Sequence, residues 1–169
     1  FPRCKKLVSR MLSAGYDGFL VTGRSNCEYL SGFTGSNGYM LVTDSDFVLF
    51  TDFRYIEQAK SECPHVSVTR IRDGYRSLSE TVAKFSLHSI AFEPNQITYG
   101  EHKLIEESLS ADVSFTPATH IVEELRHRKD GLEIEILSDA VRMADSAMAE
   151  AARCLDCLLY TSPSPRDRG

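Results

Sequence analysis

The side chains with the widest chemical reach are scattered along this chain. His65, His88, His102, His120 and His127 form neither an HExxH pair nor another spacing that would set two imidazoles around one metal. Cys154 and Cys157 make a Cys-x-x-Cys pair, half of a tetrahedral zinc site, but no second half follows. Glu106-Glu107 and Glu123-Glu124 fall on amphipathic stretches and read as solvated helix faces. The serines lack the G-x-S-x-G turn that presents a nucleophile. No catalytic residue and no metal ligand is therefore expected here.

Two segments carry more information. The first is a run of small residues, SGFTGSNG, over 31–38. Gly32, Gly35 and Gly38 allow unusual torsions and close backbone approach. A phosphate-cradling loop needs Lys and then Ser or Thr after its last glycine, whereas Tyr39-Met40 follows Gly38. The G-x-G-x-x-G pattern is absent too, so the run reads as a tight turn feeding a strand. The second segment, TDFRYIEQA over 51–59, places Arg54 just beyond the expected helix cap, Thr51 or Asp52. The dipole at that end of a helix favours anions, so some other group must hold the arginine. A structural ion pair would do so, and a role at a domain interface or on a substrate stays open. Tyr29 and Tyr55 read first as packing aromatics.

The elements that must position these residues follow from periodicity. Helices are expected at 3–14, 53–62, 76–85, 99–109 and 119–126, with a short helical turn at 26–30. Strands are expected at 17–22, 39–43, 47–50, 66–71, 89–92 and 113–115, with a hairpin turn at Asp44-Ser45-Asp46. Such alternation predicts an α/β domain: a mixed sheet flanked by helices. The chain has 169 residues, a hydrophobic fraction of 42% and a net charge of -5. Dispersed basic residues argue against nucleic acid as a partner. No run reaches the roughly 18 apolar residues of a membrane span, so no membrane partner is expected. Five irregularly spaced cysteines fit a reducing, cytoplasmic setting better than a disulfide framework. Beyond the charged stretch RHRKD at 126–130, Leu132, Ile136, Ala140, Met143 and Ala147 recur at helical spacing to about Leu155.

Three motifs stand in order: Asn26-x-x-Tyr29-Leu30-Ser31-Gly32-Phe33-Thr34-Gly35-Ser36-Asn37-Gly38, then Thr51-Asp52-Phe53-Arg54-Tyr55, then Val122-Glu123-Glu124-Leu125-Arg126. Together they resemble the N-terminal domain of the creatinase/aminopeptidase P/prolidase family, over about residues 3–155. Gly131-Leu132 departs from the family pattern, which carries acidic residues there, and this weakens the expected helix start. The resemblance implies a two-domain parent whose second, pita-bread domain binds two divalent metal ions (manganese, cobalt or zinc) through two Asp, one His and two Glu. It implies short proline-containing peptides as substrates and a homodimer partner. It makes Arg54, Tyr55, Tyr29, Phe33 and Asn37 the candidates for substrate access or interdomain contact. A creatinase-like hydrolase and a non-catalytic binding module of the same fold remain as alternatives.

The expected organisation is a creatinase-like N-terminal domain at 1–126, a linker at 127–131 and the first helix of a truncated catalytic domain at 132–156. Residues 157–169 back-translate to a transposon-end sequencing adapter, so that tail is expected not to be native. The fragment alone is expected to be inactive.

Overall fold

The computed structural model describes residues 2–161, with side chains over 2–155. Two compact units divide the chain, Phe1–His127 and Arg128–Gly169. The first contains α1 (Pro2–Ser13), β1 (Gly18–Val21), α2 (Arg24–Ser31), β2 (Gly38–Thr43), β3 (Phe47–Thr51) and α3 (Ile56–Glu62). It continues with β4 (Ser67–Arg70), α4 (Arg76–Lys84), β5 (Ser89–Phe92), α5 (Tyr99–Ser108), β6 (Ser114–Pro117) and α6 (Ile121–His127). The second unit contains α7 (Gly131–Thr161).

The six strands form one sheet in the order β4-β3-β2-β1-β5-β6. β2 pairs antiparallel with both β1 and β3, and the remaining pairings are parallel. This is the mixed sheet flanked by helices that the alternation implied. Because β2 alone runs backwards, its start lies at the same edge as the ends of β1, β3, β4 and β5. The loop before β2 therefore meets the loops that follow those strands.

Strand side chains alternate between faces, and both faces are covered. Phe19, Val21, Met40 and Val42 pack with Leu7 and Met11 of α1 and Leu30 of α2. Leu20, Leu41 and Phe50 pack with Leu78 and Val82 of α4 and Ile105 of α5. Each fully buried Leu or Phe contributes about 1.5–3 kcal/mol. Burial on both sides explains why β1 and β2 read as unbroken apolar runs.

Several boundaries depart from expectation. The helix expected from 53 begins at Ile56, and its N-cap, Tyr55, makes no side-chain cap. Neither Thr51 nor Asp52 caps it, because both side chains are used elsewhere. In α1, Leu12 is half exposed while Cys4 joins Leu7 and Met11 in the core. β6 extends through Thr116 to Pro117, a tolerable place for proline at the end of an edge strand. Helix α7 starts firmly despite Gly131: Glu133 N donates to Asp130 Oδ1 at 3.0 Å, and Asp130 N donates to Glu133 Oε2 at 3.0 Å. Of the tail expected to be adapter-derived, residues up to Thr161 continue α7, and residues 162–169 lie outside the described residues. No helix among the described residues is long and apolar enough to cross a membrane.

Candidate functional site

The loop at 33–38 is braced from several sides. Gly32 ends α2 in the left-handed conformation, with φ of 82°, and its N–H donates to Glu28 O. The chain then turns over Phe33, which is buried and meets Tyr55 edge-on with ring centres 6.1 Å apart. A Cβ on Gly35 would lie 2.2 Å from Phe33 Cζ, so only glycine fits above the ring. Thr34 N and Oγ1 both donate to Glu62 of α3, at 2.9 Å each. Gln58 Nε2 donates to Thr34 Oγ1 and Glu62 Oε1. These bonds pull the Glu62 carboxyl below its ordinary pKa, the Thr34 N–H foremost.

The same loop is tied to the turn after β3. Asn37 Nδ2 donates to Asp52 Oδ2 at 2.8 Å, Thr51 Oγ1 donates to Asn37 O at 2.6 Å, and the Ser36 and Tyr55 hydroxyls lie 2.7 Å apart. Asp52 Oδ1 accepts from Arg54 N and Nε, and Oδ2 accepts from Arg54 Nη2. The bidentate pair answers what holds Arg54: a local aspartate, with the arginine outside α3 altogether. The Arg54 and then the Asn37 hydrogen bonds hold the Asp52 carboxyl well below the usual carboxylate range, and Asp52 raises the guanidinium in turn. The Arg54 side chain is nevertheless 59% exposed, against 19% for Asp52. Among the described residues its Nη1 has no hydrogen-bond partner, and the guanidinium carbon lies 5.3 Å from the Tyr55 ring centre. A fixed cation with a free donor edge is suited to an incoming carboxylate or carbonyl oxygen.

Of the candidates read from sequence, Arg54, Tyr55, Phe33 and Asn37 come together here, and Tyr29 does not. The Tyr29 hydroxyl donates to Leu125 O at 3.3 Å, and Arg3 covers its ring, with the guanidinium carbon 4.3 Å from the centroid. Sequence reasoning missed Ser36, Gln58 and Glu62, which brace the loop, and Phe53, which is 68% exposed beside Arg54.

A second cluster was also missed. Glu93, at the end of β5, is 4% exposed. Its Oε2 accepts from Thr22 N and Gly23 N, and its Oε1 accepts from Asn26 Nδ2 at 2.6 Å. Asn26 Nδ2 also donates to Glu123, and Asn26 Oδ1 accepts from Arg126 Nη1. The cluster locks the β1–α2 turn to β5 and α6. Burial raises the Glu93 pKa, partly offset by the bonds from Gly23, Asn26 and Thr22.

Residues 3–127 match the creatinase/prolidase N-terminal domain. The chain belongs to this family. It is 34% identical to an uncharacterized peptidase, YqhT, of Bacillus subtilis over 148 residues, covering 86% of this chain and 41% of that protein. It superposes on a Xaa-Pro dipeptidase from Bacillus anthracis with a TM-score of 0.84 and 29% identity, over 88% of this chain and 42% of that one. It also superposes on the N-terminal domain of the cytoplasmic peptidase PepQ from Mycobacterium tuberculosis H37Rv. There the TM-score is 0.69 and the identity 32%, over 73% of this chain and 98% of that domain. The chain thus spans about two-fifths of the two longer relatives. The metal pair implied by the family finds no donor set here: among the described residues, no three His, Cys, Asp or Glu side chains gather to hold an ion.

Proposed function

We propose that this creatinase/prolidase N-terminal domain is the non-catalytic domain of a Xaa-Pro aminopeptidase-like dimetal peptidase, where it shapes substrate access and dimer contacts. One observation carries the reading. The family loop is braced by Glu62, Gln58, Asp52 and Tyr55, and it sits beside an exposed arginine whose orientation is fixed. A bidentate partner and a stacked ring hold that cation in place without burying it, which suits a group awaiting a ligand from outside the domain. The Xaa-Pro dipeptidase likeness supports proline-containing peptides as the substrate class. The two divalent ions, manganese, cobalt or zinc, belong in this reading to the remainder of the parent, which would supply the water-activating chemistry. The free cysteines Cys4, Cys27 and Cys63 lie buried, which suits a reducing cytoplasmic setting.

The test uses the full-length parent. Arg54→Ala should lower kcat/KM for a Xaa-Pro peptide by about tenfold or more while leaving Tm nearly unchanged. An unaltered kcat/KM would remove Arg54 from substrate access. Turnover of creatine in place of peptides would favour the amidinohydrolase alternative, and no turnover of either would favour the binding module.

A further inference from the structure

A cavity of about 420 Å³ opens at the carboxyl edge of the sheet. That volume lies within the range of small-ligand pockets, and the edge beyond the carboxyl ends of parallel strands is where α/β folds place them. One wall comes from the β1–β2 ladder. Extending its register by one residue past the Val21–Met40 pair sets Thr22 opposite Tyr39. Both residues line the cavity, and among the described residues both hydroxyl oxygens are buried without a hydrogen-bond partner. A buried hydroxyl with nothing to bond is destabilising, so two of them on adjacent strands point to an occupant that accepts from both.

The rest of the lining defines that occupant. Ile71 and Ile97 are apolar, and the Tyr75 ring lies 5.7 Å from the Tyr39 ring, tilted by 46°. The 33–38 loop and Gln96 also line the cavity, and charges of both signs stand in its wall. Arg24 stands at the start of α2, and Glu101 stands in the first turn of α5. Glu101 Oε2 accepts from Thr98 N and Oγ1, and these bonds, the Thr98 N–H foremost, hold the carboxyl below its ordinary pKa.

We propose that this cavity binds a free amino acid with an apolar side chain. The hydroxyls of Thr22 and Tyr39 and the Arg24 guanidinium take the α-carboxylate, Glu101 takes the ammonium, and the side chain lies against Ile71, Tyr75 and Ile97. Every one of these residues is in this chain, so the proposal does not depend on the parent being a peptidase.

Calorimetric titration of the 169-residue chain with L-leucine tests it, alongside leucinamide and N-acetylleucine, which lack the carboxylate and the ammonium respectively. Leucine should bind saturably, and each blocked derivative should bind about tenfold more weakly or worse, as expected for a lost charge-assisted contact. Tyr39→Phe and Thr22→Val remove the hydroxyls while keeping the ring and nearly the shape. Each should weaken leucine about fivefold or more at an unchanged or higher Tm, because no partner is left unsatisfied. The absence of saturable leucine binding would overturn the proposal, and so would equal binding of the derivatives. Leucine binding untouched by both substitutions would overturn it as well, since water would then serve the hydroxyl pair and leucine would sit elsewhere.

Discussion

Glu93 and Asp52 are both hydrogen-bonded carboxylates, yet their pH behaviour should be opposite. Burial raises the Glu93 pKa above its ordinary 4.5, so the folded state holds that proton more tightly than the unfolded chain. Its contribution to stability is complete below pH 4.5 and is lost as the pH rises through the folded value. Asp52 is shifted down from 3.8, so its contribution is present above that pH and is lost on further acidification. Melting profiles of wild type and Glu93→Gln should therefore diverge above about pH 4.5, with the variant flatter. Parallel profiles would assign the slope to other groups. Glu93→Ala should also lower stability by about 3 kcal/mol or more, because it strands two backbone N–H groups and takes one of two acceptors from the Asn26 amide. Chemical denaturation measures this, and a loss below about 1 kcal/mol would contradict the network. At this scale the sequence was partly legible. Arg54 stood out because a cation at a helix start is anomalous. Its partner was two residues away, but assigning Asp52 to a cap concealed the pair. Glu93 gave no signal, since its partners Thr22, Gly23 and Asn26 lie about 70 positions earlier.

At the scale of elements, glycine spacing marked the 33–38 loop as a tight turn without saying what the turn encloses. It encloses the Phe33 ring. Gly35→Ala would place a methyl 2.2 Å from Phe33 Cζ, forcing the ring or the loop to move. The cost should be about 1–3 kcal/mol, the range for an overpacked core, and denaturation measures it. In the full-length parent the same change should reduce peptide turnover if the braced loop shapes access, whereas normal turnover with lowered stability would confine Gly35 to packing. Helix α5 shows the same dependence of an element on its terminal residues. Thr98 accepts from Glu101 N, and Glu101 accepts from Thr98 N, a complete capping box. Thr98→Ala should cost about 1 kcal/mol by removing one half of it. Strand positions were legible because two-sided burial gives unbroken apolar runs, as in Gly18–Val21 and Gly38–Thr43. The start of α3 was not, because the Asx-type bond from Arg54 N to Asp52 holds the chain in a turn for three residues before the helix begins.

Over the whole molecule, the two units differ in how they satisfy their apolar side chains. The first unit draws its two cores from residues between Cys4 and Leu125. In α7, Leu132, Ile136 and Met143 are exposed on one face and Val141 and Met148 on the opposite one, apolar surface of the kind that marks an interaction site. Removing residues 128–169 should therefore leave the Tm of the first unit unchanged and raise solubility; a lowered Tm would reveal a dependence on α7. The metal chemistry expected of the parent should be missing from this chain altogether. Two-metal hydrolysis needs oxygen and nitrogen ligands converging on ions about 3.5–4 Å apart. Among the described residues no such group of three donors exists. Helix α7 carries Glu133, Glu135, Asp139, Asp145 and Glu150 but no histidine. Arg142 pairs with Asp139 and Arg153 with Glu150, as solvated helix faces do. Purified chain supplied with a Xaa-Pro peptide and manganese, cobalt or zinc should release no N-terminal residue above a control preparation. The full-length parent, assayed beside it, should release that residue in a metal-dependent way. Metal-dependent release by the chain alone, lost again on chelation, would mean that the catalytic donors lie within these 169 residues and would overturn the proposed function.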